Sequence, residues 1–185
     1  MSGARPERLI AVLGVLALTA IIVVAVALLV PEGGSSGGPS AAPPPGELEV
    51  GRVVRVVDGD TVVVTIGDRQ ERVRYVGVDA PELANADTGA PAECGAAEAT
   101  EANRLLVLGV EMELERDVSD RDRFGRLLRH AWIGIDDDRV LVTERLVVDG
   151  AIEARSYPPD TRHDARLDAA EREARTDGAG IWGRC

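Results

Sequence analysis

Lysine is absent from this chain, aromatic residues make up only 3% of its 185 positions, and cysteine and histidine occur twice each. Each shortage narrows what the protein can do. Without lysine every strongly basic side chain is arginine, which reads as the coding bias of a GC-rich genome, although a planar guanidinium also suits bidentate phosphate recognition. One Phe, two Tyr and two Trp are too few for binding that draws its affinity from stacking bases on aromatic rings. His130 and His163 have no second His or Cys at metal-ligand spacing, which argues against a zinc-type site and leaves both as structural residues. Trp132 and Trp182 are expected as core anchors rather than base platforms.

The charge balance sets a second limit. Residues 1–50 carry two Arg and four Glu, so nine of the eleven net negative charges fall on residues 51–185. An acidic body repels a polyanion, which excludes tight, non-specific coating of nucleic acid. Screening over about 8 Å at physiological ionic strength still permits local contact in an Arg-lined cleft.

The apolar residues are unevenly placed. Leu9 to Val30 is a charge-free aliphatic run, and at about 1.5 Å per residue it reaches roughly 33 Å as a helix, enough to cross a hydrocarbon core of about 30 Å. Arg5 and Arg8 precede it, which keeps residues 1–8 in the cytoplasm and sends the rest outside. The expectation is a single-pass anchor at residues 9–30; the alternatives are a cleaved signal peptide and a buried core helix. The run exceeds the usual apolar stretch of a signal, about 7 to 15 residues. A Gly/Ser/Pro-rich stretch follows at residues 31–47 and reads as a spacer. Residues 48–185 are then one domain, with no internal repeat. In an exported domain Cys94 and Cys185 are expected to form a disulfide; the alternative is two unrelated thiols. In the chain-entropy model a bridge of this span stabilises by roughly 4 to 5 kcal/mol at best.

Within the domain, Val50 to Val57 and Thr61 to Ile66 are β-branched runs around Asp58-Gly59-Asp60, which predicts a hairpin. Arg72 to Val78 is expected as a third strand, ended by Asp79-Ala80-Pro81. Gly95 to Leu108 predicts a helix, Glu111 to Val118 and Leu127 to Ile135 two more strands, and Thr143 to Asp149 and Arg162 to Thr176 two closing helices. The expected class is α+β: a five-stranded barrel with about three helices.

Three strings carry chemistry: RVVDGDTVVV (55–64), VRYVGVDAPE (73–82) and DRFGR (122–126). Asp60 and Asp79 stand at the ends of two predicted strands, where one fold can bring both to one mouth of the barrel; hard carboxylate oxygens suit Ca²⁺. Taken singly, each is a strand-ending or turn aspartate. Arg74 lies in a strand between apolar neighbours, so its guanidinium must face an anion or an open cleft. Glu82 and Arg126, each in isolation, read as surface residues.

Taken together, in this order and spacing, the three strings resemble the staphylococcal nuclease-like family, whose domain is an OB-fold barrel. The resemblance extends through ECGAAEAT (93–100) and GAGIWG (178–183). It implies a calcium-dependent nuclease cleaving DNA or RNA and leaving 3′-phosphate ends, acting as a monomer. Asp60, Asp79 and the main-chain carbonyl of Ala80 would bind Ca²⁺, Glu82 would be the general base, and Arg74 and Arg126 would stabilise the transferring phosphoryl group. Arg123, Phe124 and Tyr157 fall where substrate contacts are expected. The chain departs from the family pattern at Ala80, often Thr, at Phe124, often Tyr, and at Arg155, where a second tyrosine is expected beside Tyr157. A second class of function is a non-catalytic module on the same barrel, binding nucleic acid or a protein; retention of all five polar site residues weighs against it.

Overall fold

The structure, a computed structural model, describes residues 46–134 and 138–185. The expected cytoplasmic tail 1–8, anchor 9–30, all but the last two residues of the spacer 31–47, and the end of the predicted strand at Ile135 lie outside the described residues. Among the described residues no helix is long and apolar enough to cross a membrane.

Five strands close into a barrel. β1 (Leu48–Val56), β2 (Thr61–Ile66) and β3 (Arg69–Tyr75) form an antiparallel meander, and β1 also pairs with β5 (Glu111–Glu115), which pairs with β6 (Leu127–Ile133). The circle is completed by parallel pairing of β3 with β6, in the register Val73↔Leu127, Arg74↔Leu128 and Tyr75↔Arg129. Closure removes the free edges that an open sheet would expose. β7 (Val140–Leu141) pairs antiparallel with the end of β6, while β4 (Val78–Asp79) pairs with β8 (Glu153–Ala154) in a separate two-stranded ribbon.

Strand alternation fills the barrel. Val53, Val62, Val64, Val73, Tyr75, Met112, Leu114 and Ala131 are buried and belong to one core, as the period of two requires. Removing the side chain of a fully buried residue such as Leu114 would cost about 2 to 5 kcal/mol. Helix α1 (Ala96–Val107) caps the core with Ala96, Ala99, Asn103 and Val107, spaced at helical intervals on one face. α2 (Val142–Val148), α3 (Asp164–Asp177) and the short α4 (Ile181–Arg184) complete the chain. The α+β barrel with three main helices thus matches the expected OB-fold class.

Three sequence expectations are corrected. The third strand is not continuous to Val78: Gly77, at φ 81°, breaks it, and β4 starts afresh in another sheet. A Cβ at Gly77 would also lie 2.6 Å from Leu167 of α3, so the break is where the barrel meets that helix. Second, the strand expected from Leu127 does not bury apolar residues alone: Arg129 within it is fully buried. Its guanidinium is paired with Glu49 at 3.0 Å and Asp120 at 2.8 Å and donates to the Asp120 carbonyl at 3.1 Å, which is how a buried charge is tolerated. Third, the tryptophans anchor the core only in part: both are half-buried, and Trp132 packs against the core cluster from its edge. Trp132 donates to Glu115 at 2.9 Å, and Trp182 lies under the Arg175 guanidinium at 3.6 Å.

Candidate active site

The Asp58-Gly59-Asp60 turn is held from three sides. The Asp60 N–H donates to Asp58 Oδ1 at 3.1 Å, Tyr75 N–H donates to the Asp60 carbonyl at 2.9 Å, and the buried Asn103 side chain donates to the Asp58 carbonyl at 2.9 Å. Asn103 Oδ1 in turn accepts from the buried Tyr75 hydroxyl at 3.2 Å. Gly59 is required by close approach: a Cβ there would stand 2.7 Å from the Ala80 side chain and 3.0 Å from that of Ala99. The first motif is thereby pressed against the second.

That contact brings the two aspartates together. The Ala80 N–H donates to Asp60 Oδ2 at 2.9 Å, and the Thr61 hydroxyl donates to Asp60 Oδ1 at 2.9 Å. Arg74 spans the pair: Nη1 is ion-paired with Asp60 Oδ2, and Nη2 donates to Asp79 Oδ1 at 3.0 Å. The expectation that Arg74 faces an anion holds, and the anions facing it are the two aspartates. On the far oxygen of Asp79, Arg155 Nη1 donates to Oδ2 at 2.5 Å.

Burial pushes the Asp60 carboxyl up to about 7, with the charge of Asp58 adding to the rise while Arg74 and the Thr61 and Ala80 hydrogen bonds oppose it. The rise is the cost of burying a charge, which Arg74 offsets only in part. Two carboxylates within the span of one guanidinium, one of them in that state, are a fitting donor set for a hard divalent cation. Among the described residues no cluster of three or more His, Cys, Asp or Glu is arranged to hold a metal. Protein carbonyls and waters would therefore have to supply the rest of the shell.

Arg126 reaches the same place from the loop just before β6, the strand paired with β3. Its Nε donates to Asp122 Oδ2 at 2.6 Å, and Nη1 lies 3.5 Å from the Thr61 hydroxyl, which itself touches Asp60. Asp122, the first residue of DRFGR, also accepts from the N–H groups of Phe124 and Arg126, at 2.9 Å each. These bonds outweigh the effect of burial and hold the Asp122 carboxyl below its ordinary range. The sequence marked Arg126 and missed Asp122, though an Asp opening a tight Gly-containing loop is a recurrent turn signal.

Arg74 and Arg126 line one cavity of about 270 Å³, together with Tyr75, Asp122, Tyr157 and Asp160. Tyr157 was expected at the substrate, and it forms part of this wall; burial and the Asp79 charge push its hydroxyl above the usual range. Phe124 is 70% exposed at the loop tip, with Arg123 and Arg126 guanidinium carbons 4.7 and 5.6 Å from its ring centroid. Glu82 lies three residues past Asp79 with an exposed side chain. Arg155 was seen in the sequence only as a departure; its contact with Asp79, 76 residues away, has no local signal.

The remaining sequence-marked residues lie away from the cavity. Cys94 and Cys185 are joined as a disulfide. His130 and His163 meet edge to face with ring centroids 4.5 Å apart, on Asp117 and Glu115 respectively. Both serve packing and hydrogen bonding where β5 and β6 meet the start of α3.

Residues 72–184 match the family model described as "Staphylococcal nuclease homologue". With the barrel and the three motifs in place, the chain belongs to that family. Its relatives include the thermonuclease of Staphylococcus hyicus, 30% identical over 131 residues, covering 71% of this chain and 74% of the relative. The micrococcal nuclease of Shigella flexneri is 31% identical over 138 residues, covering 71% of this chain and 72% of that one. Endonuclease YncB of Bacillus subtilis (strain 168) is 34% identical over 135 residues, covering 70% of this chain and 60% of that one.

Proposed function

We propose that the protein is a calcium-dependent nuclease that hydrolyses phosphodiester bonds of DNA or RNA. The observation that carries this reading is one cavity lined by Arg74 and Arg126 beside the paired carboxylates of Asp60 and Asp79. The names of the relatives, thermonuclease, micrococcal nuclease and endonuclease, point the same way.

In this reading Asp60, Asp79 and the Ala80 carbonyl hold Ca²⁺, which when bound supplies positive charge to the scissile phosphate and to the water beside it. Glu82 takes a proton from that water. The water oxygen attacks phosphorus in line, the bond from phosphorus to the 5′ oxygen breaks, that oxygen takes up a proton from solvent to become the 5′ hydroxyl, and the phosphate stays on the 3′ side. Arg74 and Arg126, which line the same cavity, grip the phosphoryl oxygens and stabilise the charge that builds there. Arginines in comparable positions are worth roughly 10³-fold or more in turnover. Asp122 fixes the Arg126 fork, so the guanidinium is oriented before substrate arrives. Tyr157, Arg123 and Phe124 border the path of the chain on either side.

The acidic body gives weak long-range hold on the polyanion, so binding rests on this cleft. The catalytic domain works outside the cytoplasm, tethered through residues 9–30 with the N-terminus inside, or released after signal cleavage. The chemical outcome is tested on the products of a single-stranded DNA digest. Fragments should carry 3′-phosphate and resist 3′ extension until treated with phosphatase; fragments ending in 3′-hydroxyl would overturn the cleavage geometry.

A further inference from the structure

The segment from Glu82 to Cys94 is a loop tied at its base. The Glu82 N–H donates to the Glu93 carboxylate at 2.9 Å, and the Glu93 N–H donates back to the Glu82 carbonyl at 2.9 Å. Within the loop, the Asn85 N–H donates to the Ala90 carbonyl at 3.0 Å, and its side chain accepts from the Asp87 and Thr88 N–H groups at 2.9 and 3.2 Å. The loop therefore has an internal fold, but its only link across the base is Glu93, among the bonds of the described residues.

Glu93 is fixed from the opposite direction. Its carbonyl accepts from the Ala96 N–H at 3.2 Å at the start of α1, so its main chain is part of the helix entry. The next residue, Cys94, is joined to Cys185, which follows α4. α4 is itself anchored, because the Ile181 N–H donates to the Gly150 carbonyl at 2.9 Å. At Gly95 a Cβ would come within 2.5 Å of the Ile181 side chain, so α4 lies directly against the turn that follows Glu93.

A carboxylate accepting from a main-chain N–H is a charge-assisted bond, stronger than its neutral counterpart. Here it acts on the N–H of the very residue read as the general base. A base carried on an exposed loop is useful only if its position is held, since a displacement of about 1 Å can cost about 10²-fold in rate. We infer that Glu93 is a positioning residue for Glu82, and that the Cys94–Cys185 bridge is the tie that keeps Glu93 in register. This rests on the reading of Glu82 as the general base.

The experiment uses the full chain with Ca²⁺ and a single-stranded DNA substrate, and compares Glu93→Ala, Glu93→Gln, Glu82→Gln, the Glu82→Gln/Glu93→Ala pair and Cys185→Ser. Glu93→Ala should lower kcat by roughly 10- to 100-fold with little change in KM. Glu93→Gln, whose amide oxygen still accepts from the Glu82 N–H, should restore most of the loss. Glu93→Ala should add nothing in the Glu82→Gln background, since a positioning residue has no effect once the group it positions is gone. Cys185→Ser should lower kcat in the same direction while the domain stays folded by circular dichroism. Amide exchange of the 82–93 segment gives a readout without catalysis, and it should speed up in Glu93→Ala and Cys185→Ser but not in Glu93→Gln. Unchanged exchange in Glu93→Ala, or an equal loss of kcat with and without Glu82, would overturn the inference. Wild-type activity in Glu82→Gln would instead remove the general base, and the positioning role with it.

Discussion

Arg155 Nη1 lies 2.5 Å from Asp79 Oδ2, on the opposite carboxylate oxygen from the one Arg74 holds at 3.0 Å. Asp79 is therefore capped by a guanidinium on each side, and the two caps differ. Arg74 is 13% exposed and Arg155 is 61% exposed, so in the proposed calcium site Arg155 is the cap that would give way to the ion. Its bond to Asp79 holds the Arg155 guanidinium above its ordinary value.

Removing Arg155 should therefore free one ligand oxygen. We predict that Arg155→Ala binds Ca²⁺ more tightly than the wild type, by roughly two- to fivefold given the modest worth of an exposed pair. Isothermal titration in the absence of substrate measures this. Weaker binding would mean that Arg155 organises Asp79 rather than competing for it.

Arg74 should behave in the opposite way. Arg74→Met leaves Asp60 and Asp79 adjacent with no cation between them, and breaking a buried pair typically costs about 3 to 5 kcal/mol. Urea unfolding in chelator should show that loss. Added Ca²⁺ should stabilise this variant more than it does the wild type, because the ion binds only the folded form and replaces the missing charge.

Arg126 is held by Asp122 in a loop, with side-chain exposure of 23% and 16%, so its truncation should spare the fold. Arg126→Ala is expected to lose about 10³-fold in kcat while unfolding stays cooperative and its free energy falls by about 1 to 3 kcal/mol. Loss of cooperative unfolding in this variant would assign the residue to structure.

The histidine pair predicts a pH dependence. Burial, aided by the nearby charge of His163 and opposed by Asp117, holds the His130 imidazole below the usual histidine value. The unfolded chain then takes up a proton below about pH 6.5 that the folded chain still refuses. Stability from this source is present above that pH and is lost as pH falls through the folded value, at up to about 1.4 kcal/mol per pH unit. Unfolding free energies between pH 7.5 and 5 should show this slope in the wild type and a flatter one in His130→Gln.

Local chemistry explains what could be read from the sequence and what could not. β-branched runs, alternation and turn residues located β1, β2, β5 and β6 to within a few positions, and the glycines that follow them located α1, α2 and α3. Barrel closure had no such signal, since Val73 and Leu127 are paired in parallel across 54 residues. The same holds for the site. Asp60, Arg74, Asp79, Glu82 and Arg126 lie in compact strings, whereas Asn103, Asp122 and Arg155 act through contacts that only the fold creates. Arg129 was missed because its charge is neutralised by Glu49, 80 residues earlier, and nothing in LLRHAWI announces that partner.

The proposed reaction needs both the metal and the base. Digestion of single-stranded DNA by the wild type should require Ca²⁺, cease in chelator, and fall by about 10²- to 10⁴-fold in Glu82→Gln under the same conditions. Equal activity in all three, or none with Ca²⁺ in a folded wild type, would contradict it.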